Sequence, residues 1–351
     1  MPAARAQHET DRSVRSTEPI RLSSNESNYG VSQMATMGIM QSAEAIMRYP
    51  HQLITDLTAA IAAHEKVEPA QIALGFGSAD VLEVLANHLG PKKGEVIAPN
   101  PTFFFFSEAM KRQGATVVNV PLTSKLSVDL DAMASKVTAE TRCLYLVNPN
   151  NPTGTLLPGA QLRPFVIEMA KKCLVVVDEA YLDYSDDYES NTLVDLVRAG
   201  HNVVITSTFS KIHGMAGQRV GYGIMPAALV KEVFGRSMLS GGFRINLLGA
   251  VAAKASLEDA AFRVEVQAKN KTERDKFCAL LKSLKREYAE PQGSFVFFNT
   301  GMATEEFRTK MRAENILTGN GHPLYPNWCR ITLGVPNEMV RVEAALKKIL
   351  V

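Results

Sequence analysis

The sequence lacks the features that mark membrane, secreted and nucleic-acid-binding proteins. No apolar run approaches the roughly 18 residues that a membrane-spanning helix needs, and residues 1–17 are charged and contain no signal-peptide core. The 38 basic and 36 acidic residues give a net charge of only +2, without a basic block for nucleic acid. We therefore expect a cytoplasmic protein with no membrane or nucleic-acid partner.

Cysteine is scarce, and aromatic residues are absent before Tyr29. The four cysteines are far apart in the sequence: Cys143, Cys173, Cys278 and Cys329. This spacing fits buried thiols in a reducing compartment and neither a disulfide framework nor a zinc site. The start without aromatics predicts that roughly the first 18 residues form a mobile arm.

Short apolar runs alternate with helical patterns through the first two thirds of the chain. We count seven such runs: 72–74, 96–98, 117–120, 144–147, 174–177, 203–205 and 220–224. Strands that alternate with helices are typical of an α/β fold with a mostly parallel sheet and crossover helices. The sequence therefore predicts a seven-stranded sheet between helices.

A chain of 351 residues exceeds the roughly 250–300 residues at which one hydrophobic core stops growing. After about Leu257 the pattern changes to a long charged helix, two strands and a final helix, which predicts a smaller α+β unit. We therefore expect three parts: an N-terminal arm over 1–40 that packs with the small domain, a large domain over 41–257 and a small domain over 258–351.

Lys211 follows the apolar run 203–205 and stands among groups that can bind a phosphate. Thr208 and Ser210 precede it and Arg219 follows, and together they offer donors for one phosphate. A lysine beside such donors suggests a phosphorylated aldehyde held as a Schiff base, which is how pyridoxal phosphate binds. An ordinary surface lysine is the alternative at this point.

Two turns follow predicted strands in positions where α/β folds bind ligands. The glycine turn over 75–80 opens a helix, and its amides make either an anion site or a plain tight turn. The proline-rich turn over 148–154 carries Asn151, which either donates to a phenolate-like oxygen or belongs to a purely structural turn.

Asp178 and Tyr181 end another predicted strand. An acid there can hold a pyridine nitrogen protonated, and the phenol can reach a ring oxygen; an acidic strand end on the surface is the alternative. Phe103 can stack on a flat heterocycle or pack in the core. Arg330 is flanked by apolar residues and needs an anion, supplied by a structural ion pair or by a substrate carboxylate.

Together these segments resemble the fold-type I pyridoxal-phosphate aminotransferases of class I and II, and most closely the histidinol-phosphate aminotransferase branch. The resemblance covers the chain from about residue 20 to the end, and its segments occur in the family's order: Asn25-Glu26, Arg48-Tyr49-Pro50, Gly77-Ser78, 150–154, 178–181, Ser210-Lys211 with Arg219, and 330–334.

The resemblance implies a role for each of these residues. Lys211 forms the Schiff base and acts as the base that moves the α-proton, while Asp178 holds the pyridine nitrogen. The other implied cofactor contacts are Asn151 and Tyr181 at the ring oxygen, Phe103 on the ring, and Ser78, Ala79, Thr208, Ser210 and Arg219 at the phosphate. Arg330, Asn151 and Asn25 are the implied substrate contacts. Tyr49 reaches the cofactor phosphate of the neighbouring subunit, which implies a homodimer with shared active sites.

The implied reaction moves an amino group from a small-molecule amino donor to a 2-oxo acid acceptor. Departures from the family pattern bear on the donor: Thr318 stands where the family carries a further arginine, and no tyrosine precedes Tyr29. Both favour a free amino acid over a phosphorylated amine. Two alternatives stay open at this stage, namely a decarboxylase, lyase or oxidase on the same scaffold, and a non-catalytic binding module.

Overall fold

The computed structural model describes residues 18–235 and 244–350. The arm that we predicted to be mobile lies almost entirely outside these residues. The strands are β1 (Ile20–Leu22), β2 (Ile72–Gly75), β3 (Glu95–Asn100), β4 (Thr116–Pro121), β5 (Thr141–Val147), β6 (Leu174–Asp178), β7 (Val203–Thr208), β8 (Gly221–Ile224), β9 (Phe295–Asn299), β10 (Ile316–Thr318) and β11 (Trp328–Thr332). The helices are α1 (Gln33–Ser42), α2 (His51–Glu65), α3 (Ser78–Leu89), α4 (Phe105–Arg112), α5 (Leu130–Ser135), α6 (Gly159–Ala170), α7 (Tyr188–Asn191), α8 (Val194–Arg198), α9 (Ala227–Val233), α10 (Leu247–Glu258), α11 (Ala260–Ser283), α12 (Thr304–Ala313) and α13 (Pro336–Leu350).

Seven strands form the large sheet, in the order β2-β8-β7-β6-β5-β3-β4. The pairs that link β7, β6, β5, β3 and β4 are parallel, and β8 is antiparallel to both of its neighbours. The central strand β6 is buried on both faces and reads as a continuous apolar run up to its final aspartate, as parallel strands covered by helices do. The predicted seven-stranded, mostly parallel sheet is therefore confirmed.

The C-terminal part builds a second core around an antiparallel pair. Strand β9 pairs with β11, and alternate residues of β9 point to opposite faces. Val296 and Phe298 enter a core that α11, α12 and α13 also line. Phe295 belongs instead to a cluster with Ala180 and Tyr181, which follow β6, so the other face of the pair faces the end of β6.

The N-terminal segment crosses between the two cores. Strand β1 pairs in parallel with β10 beside the second core, while helix α1 packs against α10. Residues 23–32 connect β1, which lies beside the second core, to α1, which packs against α10. They therefore cross the edge of the large sheet. The domain boundaries stay a prediction.

All four cysteines are free thiols, and three of them are buried. Burial raises the pKa of Cys173 to about 11, so this thiol is protonated at neutral pH. Across the described ranges, no helix has the length and apolar character that crossing a bilayer requires. No group of His, Cys, Asp and Glu side chains in the same ranges is arranged to hold a metal ion.

Candidate active site

The site lies at the carboxyl ends of β6 and β7. Asp178 is the last residue of β6, Thr208 is the last residue of β7, and Lys211 follows three residues later. Because β6 and β7 are parallel neighbours, their ends meet at one edge of the sheet, which is where α/β folds bind ligands.

A cradle for an anion forms beside this edge, at the start of α3. The first turn leaves the backbone N–H groups of Ser78 and Ala79 without intrahelical acceptors and adds the positive end of the helix dipole. Gly77 has φ +83°, and a Cβ on it would lie 2.5 Å from Arg219 Nη2. Glycine therefore suits the positive φ, and a larger residue here would displace the Arg219 guanidinium.

Side chains close the other side of the cradle. Thr208 Oγ1 and Arg219 Nη1 both donate to Ser210 Oγ, at 3.0 and 3.3 Å. Arg219 Nη2 donates to the Phe76 carbonyl at 2.8 Å. Two hydroxyls, a guanidinium and two free backbone amides thus converge, a donor set that suits a phosphate dianion.

The Lys211 amine is held by the N-terminal segment. Nζ donates to the carbonyl oxygens of Asn25 and Ser24, at 3.2 and 3.4 Å, and lies 5.2 Å from the centre of the Tyr181 ring. These contacts keep the amine at the junction of the large sheet, the N-terminal segment and the second core.

Asp178 is a buried carboxylate below this junction, with 3% of its surface exposed. Its Oδ1 accepts from the Ala180 N–H at 3.2 Å. Burial raises the pKa of Asp178 to about 6, because removal from water disfavours the ionised form. A cationic ligand nitrogen beside it would restore the charged state.

Tyr181, Asn151 and Arg330 form a connected chain across the cleft. The Tyr181 oxygen accepts from Asn25 Nδ2 at 3.2 Å and from Asn151 Nδ2 at 3.5 Å. Arg330 Nη1 donates to Asn151 Oδ1 at 2.6 Å and Nη2 to the Ser23 carbonyl at 2.7 Å.

Arg330 is a partly buried cation whose hydrogen bonds within the described residues are incomplete. Its Nε is buried without an acceptor, and its carbon lies 5.6 Å above the Phe295 ring. Burial lowers the pKa of Arg330, which is the expected effect of a cation that has left water. No carboxylate among the described residues forms an ion pair with it. A ligand anion would supply the missing charge.

Three other residues that the sequence singled out make none of the contacts described above. Tyr49 is 75% exposed, and its ring centre lies 5.9 Å from that of His51. Phe103 is half-buried and stacks on Phe105. His213, which we weighed as an acid or base, is buried and hydrogen-bonded to Ser256 at 2.7 Å; it is a packing histidine.

Sequence reasoning missed Thr332 and the carbonyl groups of Ser23 and Ser24. Thr332 lies two residues after Arg330 in β11 and therefore on the same face of the strand. Because alternate residues of a strand share a face, the sequence could have placed the Thr332 side chain beside that of Arg330. The carbonyl contacts carried no signal, since any residue provides a carbonyl.

Comparisons with known proteins give a consistent result. The sequence profile of the family described as Aminotransferase class I and II matches residues 17–348. A histidinol-phosphate aminotransferase of Moorella thermoacetica is 32% identical over 345 residues, covering 97% of this chain and 88% of that protein. One from Akkermansia muciniphila is 33% identical over 332 residues, with 94% and 90% covered.

A solved structure shows the same fold. The histidinol-phosphate aminotransferase of Sinorhizobium meliloti, in complex with pyridoxal-5'-phosphate, superposes with a TM-score of 0.87 and covers 98% of this chain and 94% of that one. Its sequence identity is 24%, so this likeness concerns the fold alone.

Proposed function

Because this chain belongs to the class I and II aminotransferases, we propose that it exchanges an amino group between an amino acid and a 2-oxo acid at the site around Lys211. It is a pyridoxal-phosphate-dependent aminotransferase related to the histidinol-phosphate aminotransferase branch. The family match does not favour another reaction type or a non-catalytic module. The observation that carries the proposed site is the convergence of Lys211, the buried Asp178 and the anion cradle at one sheet edge.

The residues present fit the cofactor. The cradle of Ser78, Ala79, Thr208, Ser210 and Arg219 would hold its phosphate, and the Arg219 guanidinium lies against Gly77 where a Cβ would otherwise be. Asp178 would pair with its ring nitrogen, and Asn151 and Tyr181 would contact its ring oxygen. Phe103 would cover the ring. When bound, the cofactor supplies an electron sink that makes the α-proton of an amino acid acidic.

The Lys211 amine and the groups around it would transfer the α-proton of the substrate. The Lys211 amine would remove the proton from the substrate α-carbon and return it to the neighbouring carbon, a general-base role worth about 10²–10⁴ in rate. The carbonyls of Ser24 and Asn25 accept from that amine and so would orient its lone pair. Asp178, at the end of a fully buried strand, would keep the ring nitrogen protonated.

Arg330 would bind the α-carboxylate of the amino donor. Its two terminal nitrogens are oriented by Asn151 and Ser23, so the guanidinium plane is fixed before a ligand arrives. Such preorganisation lowers the entropy lost on binding. Thr318, where the family carries a second arginine, is buried in β10 and offers no charge for a substrate phosphate. We therefore propose a free amino acid as the donor.

We further propose that two copies of the chain assemble into a dimer with shared active sites. Large apolar side chains are exposed along residues 31–49, which solvent alone would not favour. They are Val31, Met34, Met37, Met40, Ile46, Met47 and Tyr49. Burial of this surface against a second copy would carry Tyr49 toward the partner's anion cradle. The free thiols support a reducing, cytoplasmic location.

A donor screen tests the function. Purified protein loaded with pyridoxal phosphate is mixed with single amino acids and 2-oxoglutarate, and the keto and amino products are quantified by mass spectrometry. We expect equimolar products with at least one amino acid, and no turnover after Lys211→Ala. Release of carbon dioxide or ammonia without amination of the keto acid would overturn the proposal.

Trapping tests the lysine independently of turnover. Borohydride reduction of the loaded protein, followed by peptide mapping, is expected to place the reduced cofactor on Lys211. An adduct on another lysine would contradict the assignment.

A further inference from the structure

Asn25 makes two hydrogen bonds to one hydroxyl of β11, that of Thr332. The residue is 1% exposed and has φ 54°, in the left-handed region that asparagine tolerates better than most residues. Its N–H donates to Thr332 Oγ1 at 3.0 Å, and Thr332 Oγ1 donates to Asn25 Oδ1 at 3.1 Å. The threonine hydroxyl therefore serves as acceptor and donor to the same residue.

This two-point contact fixes which way the Asn25 amide faces. Since Oδ1 accepts from the threonine, Nδ2 is left facing the Tyr181 oxygen, to which it donates at 3.2 Å. Asn151 is oriented in the same way, because its Oδ1 accepts from Arg330 and its Nδ2 faces Tyr181. With two amides directed at the phenol oxygen, the Tyr181 proton is free to be donated to a ligand in the cleft.

Burial makes the hydroxyl hard to replace. Thr332 is fully buried, so water cannot take over when the hydroxyl is removed, and two polar groups of Asn25 would lose their partners. The amide would then be free to turn, and a turned amide would present to Tyr181 an oxygen that can only accept, which draws the phenol proton away from the cleft.

We propose that Thr332 is a positioning residue that acts through Asn25 on Tyr181, and that the Asn25 side chain orients this phenol instead of binding substrate directly. The inference rests on the proposed function, in which Tyr181 contacts the cofactor ring oxygen. With the cofactor bound, loss of the amide contact would weaken the Tyr181 phenol as a donor to the ring oxygen. The Lys211 nitrogen would then be expected to hold its proton more tightly.

The test compares Thr332→Val, which keeps shape and removes the hydroxyl, with Thr332→Ser, which restores it. Thr300→Val is the matched control, since Thr300 is also fully buried and, among the described residues, its hydroxyl bonds only backbone groups of Met302 and Asn327. Each change is made in the native protein and in a Tyr181→Phe background. The readouts are kcat, the pH midpoint of the bound cofactor's absorbance band, and hydrogen exchange of residues 20–30.

We expect Thr332→Val to lower kcat about three- to tenfold and to raise the pH midpoint, with Thr332→Ser close to the native protein. In the Tyr181→Phe background, Thr332→Val should leave the midpoint and kcat unchanged, because the group through which it acts is gone. Thr300→Val should lower stability without moving the midpoint. Hydrogen exchange of residues 20–30 should rise in Thr332→Val in either background.

Equal effects of Thr332→Val on kcat and on the pH midpoint in both backgrounds would show a general structural role and overturn the proposal. An unmoved midpoint in the native background would also overturn it. If the native protein binds the cofactor but transaminates no donor, the proposed function fails, while the midpoint and exchange measurements still decide whether Thr332 acts on Tyr181.

Discussion

Asp178 shows how a single buried carboxylate couples stability to cofactor binding. Its pKa is raised from 3.8 to about 6 by burial, so the folded protein without cofactor binds this proton more tightly than the unfolded chain does. The free energy of unfolding therefore falls as the pH rises from about 4 to about 6. Above pH 6 the ionised carboxylate destabilises the folded state, and below pH 4 this contribution is absent. The ring nitrogen of a bound cofactor would form an ion pair with this carboxylate and so remove the destabilisation.

We predict that Asp178→Asn stabilises the cofactor-free protein and inactivates the enzyme. At pH 8 the variant should be more stable by up to about 3 kcal/mol, since it carries no buried charge. The difference should shrink at pH 5, where the native carboxyl is protonated. Urea unfolding at both pH values measures this, and a difference that does not change with pH would contradict it. Activity should fall by about 100-fold or more in the same variant, as expected when the ring nitrogen loses its partner.

Arg330 gives a second prediction at the scale of one residue. Arg330→Met should raise KM for an α-amino acid about 10- to 150-fold, because a charge-assisted contact to a carboxylate is lost. The matched control is a change of donor: an amino alcohol with the same side chain has no carboxylate. Steady-state kinetics with both donors separates lost recognition from general damage, which would slow both donors equally.

At the scale of one element, the prediction concerns helix α3 and the glycine turn that precedes it. Gly77→Ala should weaken cofactor binding about tenfold or more, because the new Cβ meets the Arg219 guanidinium and the positive φ becomes strained. Gly200→Ala is the matched control: Gly200 has φ +80° but open space around a Cβ. Both variants should lose similar stability, and only Gly77→Ala should weaken the binding seen when cofactor is titrated into the apoprotein. Equal affinities in the two variants would rule out the cradle.

Secondary-structure elements that depend on one local sequence pattern could be predicted from the sequence. The seven strands of the large sheet follow from short apolar runs bounded by turns, and Lys211 and Asp178 follow from their positions after such runs. The pairing of β1 with β10 was beyond reach, because three-residue strands at opposite ends of the chain carry no periodicity. The contact of Asn25 with Thr332 joins residues 307 positions apart, and only the folded arrangement of the two cores creates it.

At the scale of the whole molecule, the position of Tyr49 decides whether the site is complete in one chain. Its ring is among the most exposed large side chains of the protein, and it lies on the apolar surface over residues 31–49. In a symmetric dimer the same surface is used by both copies, so each Tyr49 would meet the partner's cradle. Each active site would then need Lys211 from one copy and Tyr49 from the other.

A mixing experiment tests this arrangement. Lys211→Ala and Tyr49→Ala are each expected to be nearly inactive as pure proteins. After unfolding and refolding together in equal amounts, about half of the dimers would be mixed. Each mixed dimer would hold one intact site, made of the native Lys211 of one copy and the native Tyr49 of the other. Activity should therefore recover to about one quarter of the native value. Lys211→Ala mixed with Lys211→Arg is the control that should recover nothing. If the first mixture also stays inactive while light scattering shows a dimer, Tyr49 does not act across the interface.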